Sequence, residues 1–309
     1  MTSPAPLGGQ PPVPTCYRHP GRETYLSCTR CSRPICPDCM ISASVGHQCP
    51  ECVAEGRRTQ RPALTHFGGS QVGMHGYVTK ALIGINVAVF LLGLVLAGAA
   101  AGFDGGLFTG ATKIQFLGGV IGPDFCGLGN PDTGMCYEAY TGIDNGAYYR
   151  LFTAMFIHYG IIHLALNMWA LWVLGRSLEA ALGPIRFGAL YLICGLGGNV
   201  ACYVLSPGAL SAGASTAVYG LFAAYFFVLR RLGRDAMSVV PIIVINVILS
   251  FSIPGISWQG HLGGLVTGAI CGFGLAYAPR QNRTVVQAGV LGGMLTVLLL
   301  ATFALSFTR

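Results

Sequence analysis

The sequence predicts an all-α polytopic membrane protein that is preceded by a small metal-binding domain. Charged residues make up only 9% of the 309 residues and hydrophobic residues 53%, whereas a soluble domain has about 25% charged residues. The mean hydropathy is +0.60. Seven of the 12 cysteines lie before the first apolar segment, between Cys16 and Cys52. The two parts of the chain therefore differ in chemistry, and an ordinary soluble enzyme is excluded.

The cysteine-rich segment, residues 16–52, contains four ligand pairs in C-x2-C or C-x2-H spacing. They are Cys16/His19, Cys28/Cys31, Cys36/Cys39 and Cys49/Cys52. Each pair can supply two of the four ligands of a tetrahedral ion. Eight ligands therefore predict two closed, structural zinc sites. The interleaved order favours a cross-brace, in which the first and third pairs share one ion and the second and fourth the other. A sequential pairing stays open, and so does His47 as a competing ligand.

The segments on either side of this predicted finger have the composition of irregular chain. Residues 1–15 are rich in proline and are expected to be a disordered leader without a cleavable signal. Residues 53–77 are basic and glycine-rich, which predicts a linker. The basic excess before Arg61 is small, so we expect a protein partner or an anionic lipid surface rather than nucleic acid, which needs a denser basic face.

Seven apolar segments follow, each long enough or nearly so to cross about 30 Å of hydrocarbon as a helix. They cover residues 79–102, 151–175, 185–205, 213–231, 238–253, 259–278 and 286–307. Arginines precede the first segment and follow the second, fourth and sixth, whereas the loop 103–150 is mostly acidic. The positive-inside rule therefore predicts a cytoplasmic amino terminus and an external carboxyl terminus. A cytosolic finger keeps its thiols reduced, which favours zinc over disulfides, while Cys126 and Cys136 in the external loop could form a disulfide.

Polar side chains recur in three of these segments, where a plain membrane anchor has none. They are His158, His163, Asn167, Ser215, Tyr219, Trp258 and His261. Polar groups within a membrane are expensive and usually face the interior of a helix bundle as part of a functional site. In the predicted topology the second, fourth and sixth segments run in the same direction. Their polar residues are therefore expected at one depth, near the outer face.

The sixth segment has a glycine at every fourth position from Gly260 to Gly272, which predicts close backbone contact with another helix. Such a contact is expected to bring His261 against Ser215. A serine becomes a nucleophile when an adjacent histidine accepts its proton. Because the fourth and sixth segments contain no Asp or Glu, the sequence predicts a Ser–His dyad, with His163, Asn167 and the Ser215 amide as oxyanion donors.

These motifs resemble those of the rhomboid family of intramembrane serine proteases. The stretch from His158 to Asn167 is similar to the family's H-x4-H-x3-N motif, residues 213–215 to its G-x-S-G motif, and residues 260–264 to its histidine helix. Further similar positions are Tyr149, Arg150, Glu179 and Tyr219. The finger resembles the B-box-like zinc fingers that precede some actinobacterial membrane proteins. Thr216 departs from the family, which usually has glycine after the nucleophile.

The resemblance implies a rhomboid-like core of six transmembrane helices at 78–278, around a water-filled cavity open to the outside. Residues 279–309 are then an extra C-terminal transmembrane helix. The implied activity is an intramembrane serine endopeptidase of the bacterial plasma membrane, with Ser215 as nucleophile, His261 as general base, and His163 and Asn167 at the oxyanion. The implied partners are transmembrane protein substrates and the lipid bilayer, and no catalytic cofactor is expected.

Two alternatives belong to other functional classes. A catalytically inactive rhomboid-like protein that binds and escorts membrane proteins is favoured by Thr216, since a β-branched side chain beside the nucleophile could crowd the site. A transporter is expected to have polar groups continuing to the inner face and an internal repeat. Neither feature is found in the sequence.

Overall fold

The computed structural model describes residues 13–60, 63–97, 113–130 and 133–309. The chain divides into two compact units, Met1–Pro62 and Ala63–Arg309. Most of the expected leader lies outside the described residues, and Thr15 already belongs to the first strand. The expected fold class is confirmed, because a small Cys- and His-rich unit is followed by a helical unit with several membrane-length helices.

The first unit is built from short strands, tight turns and one helix. Its elements are β1 (Thr15–Cys16), β2 (His19–Glu23), β3 (Ile41–Ser42), β4 (His47–Gln48) and α1 (Pro50–Thr59). β1 pairs with β2 and β3 with β4, both antiparallel. Six cysteines and one isoleucine, Ile35, make up its buried hydrophobic core. A unit this small with almost no aliphatic core needs cross-links or a metal to hold its fold.

In its described residues, the second unit has seven long helices and a few short elements between the first two of them. The long helices are α2 (Tyr77–Ala97), α5 (Gly160–Leu182), α6 (Pro184–Leu205), α7 (Ser215–Arg231), α8 (Val240–Ser252), α9 (Trp258–Tyr277) and α10 (Arg283–Ser306). The short elements are α3 (Lys113–Gly118), β5 (Phe125–Asn130), β6 (Met135–Tyr140) and α4 (Arg150–Thr153). Each of the seven predicted apolar segments thus corresponds to a helix.

Four helices in the described part of the chain are long and apolar enough to cross a membrane by length and composition: α2, α5, α6 and α10. α7 and α8 are shorter, with 17 and 13 residues, and α9 is rich in glycine. Buried residues are frequent on α6, α7 and α9, whereas α10 exposes most of its apolar surface. The protein is therefore a multi-pass membrane protein, and α6, α7 and α9 form the most buried part of its helical unit.

Close backbone contact between α7 and α9 holds the centre together, through the glycines that the sequence singled out. A Cβ added at Gly264 would lie 1.9 Å from the Thr216 carbonyl oxygen, and one at Gly268 would lie 2.1 Å from the Gly220 carbonyl oxygen. Real side chains never approach backbone this closely, so both positions require glycine. The predicted small-residue contact is present, and α7 is its partner.

The second predicted segment begins too early. Residues 150–156 form α4 and a 3-10 turn, and the long helix α5 starts only at Gly160, which has φ +75°. A left-handed residue cannot continue a right-handed helix, so the apolar run is broken there. As a consequence His163 lies in the first turn of α5, at the same end of the bundle as the starts of α7 and α9.

At the other end of α5, Glu179 is completely buried and binds the start of α2. Its carboxylate accepts hydrogen bonds from Val78 N–H at 3.0 Å, Thr79 N–H at 2.8 Å and the Thr79 hydroxyl at 2.7 Å. A carboxylate at a helix amino terminus satisfies amides that have no partner within the helix. Glu179 thus fastens α2 to α5.

The segment 53–77, which the sequence analysis assigns to a linker, has more regular structure than that expectation. It begins within α1 and ends with the 3-10 turn Gln71–His75 and the start of α2. Phe67 is buried, and a Cβ at Gly69 would lie 1.9 Å from the carbonyl oxygen of Leu182. Its second half is therefore part of the helical unit, because Phe67 is buried there and Gly69 packs closely on the end of α5.

The loop before α5 is held in place by Arg150, which is 1% exposed. Its guanidinium donates to the carbonyl oxygens of Thr141 at 2.7 Å, Phe116 at 2.8 Å and Gly119 at 2.9 Å. The hairpin β5–β6 is bridged by the disulfide Cys126–Cys136. Arg150, one of the positions of the resemblance, therefore organises this loop.

Candidate active site

Ser215 is the first residue of α7, and the chain before it makes a sharp turn. Gly213 has φ +146°, and a Cβ there would lie 2.9 Å from the His163 ring. Only glycine fits both the backbone conformation and the available space. The first amides of a helix have no acceptor within the helix, so Ser215 stands at the positive end of the α7 dipole.

His261 lies in the first turn of α9, and its Nε2 is 2.8 Å from Ser215 Oγ. This is a hydrogen bond between the two residues that the sequence places in a dyad. Tyr219, one turn after Ser215, stacks on the His261 ring with centroids 4.0 Å apart and an interplanar angle of 12°. The imidazole is thus held in one plane from the α7 side.

Ser250 on α8 holds the other nitrogen of the same ring, and the sequence analysis missed it. Its hydroxyl is 2.7 Å from His261 Nδ1 and 2.7 Å from the Tyr219 hydroxyl. The available signal was a serine in an otherwise apolar segment. Such a serine usually bonds the carbonyl four residues before it, and Ser250 does so with Asn246 at 2.8 Å.

The two candidate oxyanion donors do not have equal positions. His163 accepts a hydrogen bond at Nδ1 from Tyr159 N–H at 3.2 Å, which leaves the ring proton on Nε2, the nitrogen beside Gly213. Asn167 is buried, and its amide group donates to the carbonyl oxygen of His163 at 2.8 Å. His163 therefore faces the site, whereas Asn167 supports the helix turn that carries it.

A cavity of about 350 Å³ lies beside the Ser215 hydroxyl. His163, Ser215 and His261 line it, together with Tyr159, Ser257 and Trp258. Trp258 also stacks on Phe251 of α8. The cavity is large enough for a short stretch of peptide backbone, or for several waters, beside the Ser215 hydroxyl.

His158 lies behind the site and contacts both the loop and α7. Its carbonyl oxygen accepts from the Gln115 side chain at 2.8 Å, and its Nε2 is 3.5 Å from Ala214 N. The ring is 2% exposed. His158 therefore orders the approach to Ser215 and does not line the cavity.

Thr216 lines the cavity beside Ser215 and also packs against neighbouring helices. A Cβ at Gly198 of α6 would lie 2.5 Å from Thr216 Cβ, and one at Gly260 would lie 2.9 Å from Thr216 Cγ2. The side chain thus occupies space that two glycines leave open. Its hydroxyl has no hydrogen-bond partner among the described residues.

The eight finger residues form two groups, each of which could hold a metal ion. One contains Cys16, His19, Cys36 and Cys39, and the other contains Cys28, Cys31, Cys49 and Cys52. These are the groups of the cross-brace, and His47 belongs to neither. The ligand atoms of each group lie within 4.8 Å of one another.

The spacing within each group fits a tetrahedral ion. His19 Nδ1 is 3.3 Å from both Cys36 Sγ and Cys39 Sγ, and Cys31 Sγ is 3.8 Å from Cys49 Sγ. A tetrahedron with metal–sulfur bonds of about 2.3 Å has edges of roughly 3.7 Å. The hydrogen bond from Arg33 to Cys31 Sγ lowers the pKa of this thiol, which favours the thiolate that a metal requires.

The comparisons with known proteins concern the helical unit. Residues 145–278 match the family model for the rhomboid domain. Rhomboid protease GluP of Bacillus subtilis (strain 168) is 36% identical over 159 residues, which are 48% of this chain and 31% of GluP. RHOMBOID-like protein 6, mitochondrial, of Arabidopsis thaliana is 36% identical over 141 residues, 43% of this chain and 46% of that protein. The chain thus spans less than half the length of these two relatives.

A third relative is matched over most of its length. YdcA of the same Bacillus subtilis strain is 32% identical over 148 residues, which are 46% of this chain and 74% of YdcA. The region that matches the family model, residues 145–278, contains the helices that carry Ser215, His261 and His163. The chain belongs to the rhomboid family.

Proposed function

We propose that this protein is an intramembrane serine endopeptidase that uses Ser215 and His261 as a catalytic dyad. The observation that carries the proposal is the 2.8 Å hydrogen bond between Ser215 Oγ and His261 Nε2 at the wall of a cavity. A serine paired with a histidine base is the arrangement of acyl transfer. The name of the relative GluP, a rhomboid protease, supports the same reaction class.

The reaction begins when a peptide carbonyl enters the cavity beside Ser215. Ser215 Oγ attacks the carbonyl carbon, and its proton moves to His261 Nε2. The oxyanion that forms is stabilised by His163 Nε2–H and by the Ser215 amide at the start of α7. His261 then gives its proton to the departing amine, which leaves an acyl-enzyme on Ser215. Water, deprotonated by His261, hydrolyses this ester and regenerates both residues.

The substrates proposed are transmembrane segments of other proteins, cut where small or helix-breaking residues let the helix unwind. This follows from the location of the dyad, at the ends of helices in a bundle of membrane length. We place the protein in the bacterial plasma membrane with its amino terminus in the cytoplasm. The end that holds Arg176 and Arg186 then faces inward, and the dyad lies towards the outside.

The alternative is an inactive binding or escort protein, and Thr216 does line the cavity. Its support was Thr216, whose side chain packs against Gly198 and Gly260 and leaves the dyad hydrogen bond intact. The proposed role of Thr216 is therefore packing between α6, α7 and α9.

Covalent labelling tests the proposal directly. The purified full-length protein in detergent is treated with a fluorophosphonate probe, and the labelled peptide is identified by mass spectrometry. We expect labelling at Ser215, complete loss in Ser215→Ala, and cleavage of a reporter transmembrane substrate by the wild type alone. Equal, background labelling of both proteins would contradict the proposal.

For the finger we propose two structural zinc ions, bound by the two groups of four ligands described above. Zinc fits because one group offers three thiolates and an imidazole and the other offers four thiolates, both at tetrahedral spacing. Elemental analysis should find about two zinc ions per chain, falling to about one in Cys36→Ser. We further propose that the finger binds a protein partner and takes no part in the chemistry. Deletion of residues 1–61 should then leave cleavage of the reporter substrate largely unchanged in detergent.

A further inference from the structure

Ser250 has an unusual place in α8. Of the thirteen residues of this helix, Ser250 is the buried one, while its apolar neighbours Ile248, Leu249 and Phe251 are exposed. The polar residue thus faces the bundle and the apolar residues face outward. This pattern is expected where the serine has a partner inside the bundle, and the partner is His261.

The hydrogen bonds around Ser250 end on a group that can only accept. The carbonyl oxygen of Asn246 is 2.8 Å from Ser250 Oγ and 2.7 Å from the Tyr219 hydroxyl. If Ser250 donates its proton to this carbonyl, its lone pairs are left for a donor. His261 Nδ1 lies 2.7 Å away and supplies that donor when it is protonated.

Protonation at Nδ1 decides what the other nitrogen can do. A neutral imidazole carries one proton, so Nε2 accepts only when Nδ1 donates. His261 Nε2 is 2.8 Å from Ser215 Oγ, and a general base at this position must accept the Ser215 proton. All the hydrogen bonds then run in one direction, from Ser215 through His261 and Ser250 to Asn246.

We propose that Ser250 is a positioning residue that fixes the base-competent tautomer of His261 and accepts its Nδ1–H while the ring becomes charged. The role is that of an orienting third residue, here a neutral hydroxyl from a separate helix. The inference rests on the proposed function, because a tautomer matters for catalysis only if His261 is the base.

The test compares three variants by the kinetics of fluorophosphonate labelling. Ser250→Ala should reduce the maximal labelling rate about tenfold, the factor that corresponds to one neutral hydrogen bond, and leave the half-saturating probe concentration unchanged. Ser250→Thr keeps the hydroxyl and should label within about threefold of the wild type. Ser252→Ala is the matched control, because Ser252 is exposed and bonds only its own helix at Ile248 in the described contacts. Wild-type labelling by Ser250→Ala would overturn the proposal.

A nitrogen NMR spectrum of ¹⁵N-histidine-labelled wild type measures the tautomer of His261 without any substitution at Ser250. The His261 signals are assigned by their loss in His261→Gln. A proton on Nδ1 supports the proposal, and a proton on Nε2 overturns it. The same readout decides the case in which Ser250→Ala and Ser250→Thr both label slowly. If the wild type does not label at Ser215 at all, the proposed function fails, while the tautomer still tests the role of Ser250.

Discussion

The two ends of the helical unit both contain buried polar groups, but they use them differently. At one end, which we term the cavity end, His163, Ser215 and His261 line a cavity. At the other end, which we term the Glu179 end, the carboxylate of Glu179 is fully buried and bonded to α2. His163 and Glu179 are sixteen residues apart on α5, or about 24 Å at 1.5 Å per residue.

The two ends differ in whether their buried polar groups line a cavity. At the Glu179 end, donors and acceptors are matched within the protein, and Gln287 similarly bonds the carbonyl oxygens of Phe67 and Leu275. At the cavity end, the His163 and Ser215 groups face space that a substrate can occupy. Buried polar residues in a membrane protein therefore separate into structural and chemical sets by whether they converge on a cavity. Activity and stability should respond to substitutions at opposite ends.

The largest expected effect is the loss of the base at the cavity end. His261→Ala should reduce kcat for the reporter substrate by about 10⁴-fold or more, since a serine without its base is a poor nucleophile. The free energy of unfolding should change little, because the ring partly faces the cavity. Steady-state cleavage and thermal unfolding in the same detergent measure the two quantities. A large loss of stability with residual activity would contradict the view that the cavity end serves activity and the Glu179 end serves stability.

Removal of the oxyanion donor should have the next largest effect. His163→Ala is expected to lower kcat about 10²- to 10³-fold with little change in KM, the usual result of deleting one such donor. Asn167→Ala is the comparison, because its amide group bonds the His163 carbonyl and lies outside the cavity lining. If Asn167→Ala is the more damaging of the two, the assignment of His163 as the main donor is wrong.

At the Glu179 end we expect the reverse pattern. Glu179→Gln should lower the free energy of unfolding by about 2 kcal/mol, because one of three donors on the carboxylate loses its acceptor and the charge at the α2 amino terminus is removed. The kcat of the folded fraction should stay near the wild-type value. Ser177→Ala is a suitable control, since Ser177 bonds the Val173 carbonyl within its own helix. Equilibrium unfolding and single-turnover cleavage distinguish the two parameters.

The smallest effect on activity is expected at Thr216, which lines the cavity next to Ser215 but packs its side chain against Gly198 and Gly260. Thr216→Gly should change kcat by less than about threefold and lower stability by roughly 1–2 kcal/mol, through the space left beside Gly198 and Gly260 and the glycine within a helix. The inactive-protein alternative expects the opposite, a rise in activity of tenfold or more once the branched side chain is removed. Initial cleavage rates for both proteins decide between these outcomes.

Much of this arrangement was predictable from residue spacing. The apolar segments gave seven helices, and the glycines from Gly260 to Gly272 gave the close helix contact that places His261 beside Ser215. The C-x2-C spacing gave the two groups of finger ligands. These features depend on local periodicity or on pairs at fixed separation, which a single sequence contains.

Other features depend on contacts between distant segments. Ser250 contacts His261 because α8 docks on α9, and the sequence around it resembles any apolar helix with a serine. The start of α5 was placed too early, because the left-handed conformation of Gly160 interrupts a continuous apolar run. The burial of Phe67 made residues 63–76 part of the helical unit, although their composition is that of a linker.

The glycine contact between α7 and α9 limits which substitutions can change the distance between Ser215 and His261. Because backbone meets backbone at Gly264 and Gly268, no side chain at these two positions sets the separation of the helices. The nucleophile and the base are therefore insulated from substitutions in the loops that line the cavity. Under the proposed function, cavity-lining residues such as Ser206, Leu210 and Ile256 are the natural positions for engineering specificity.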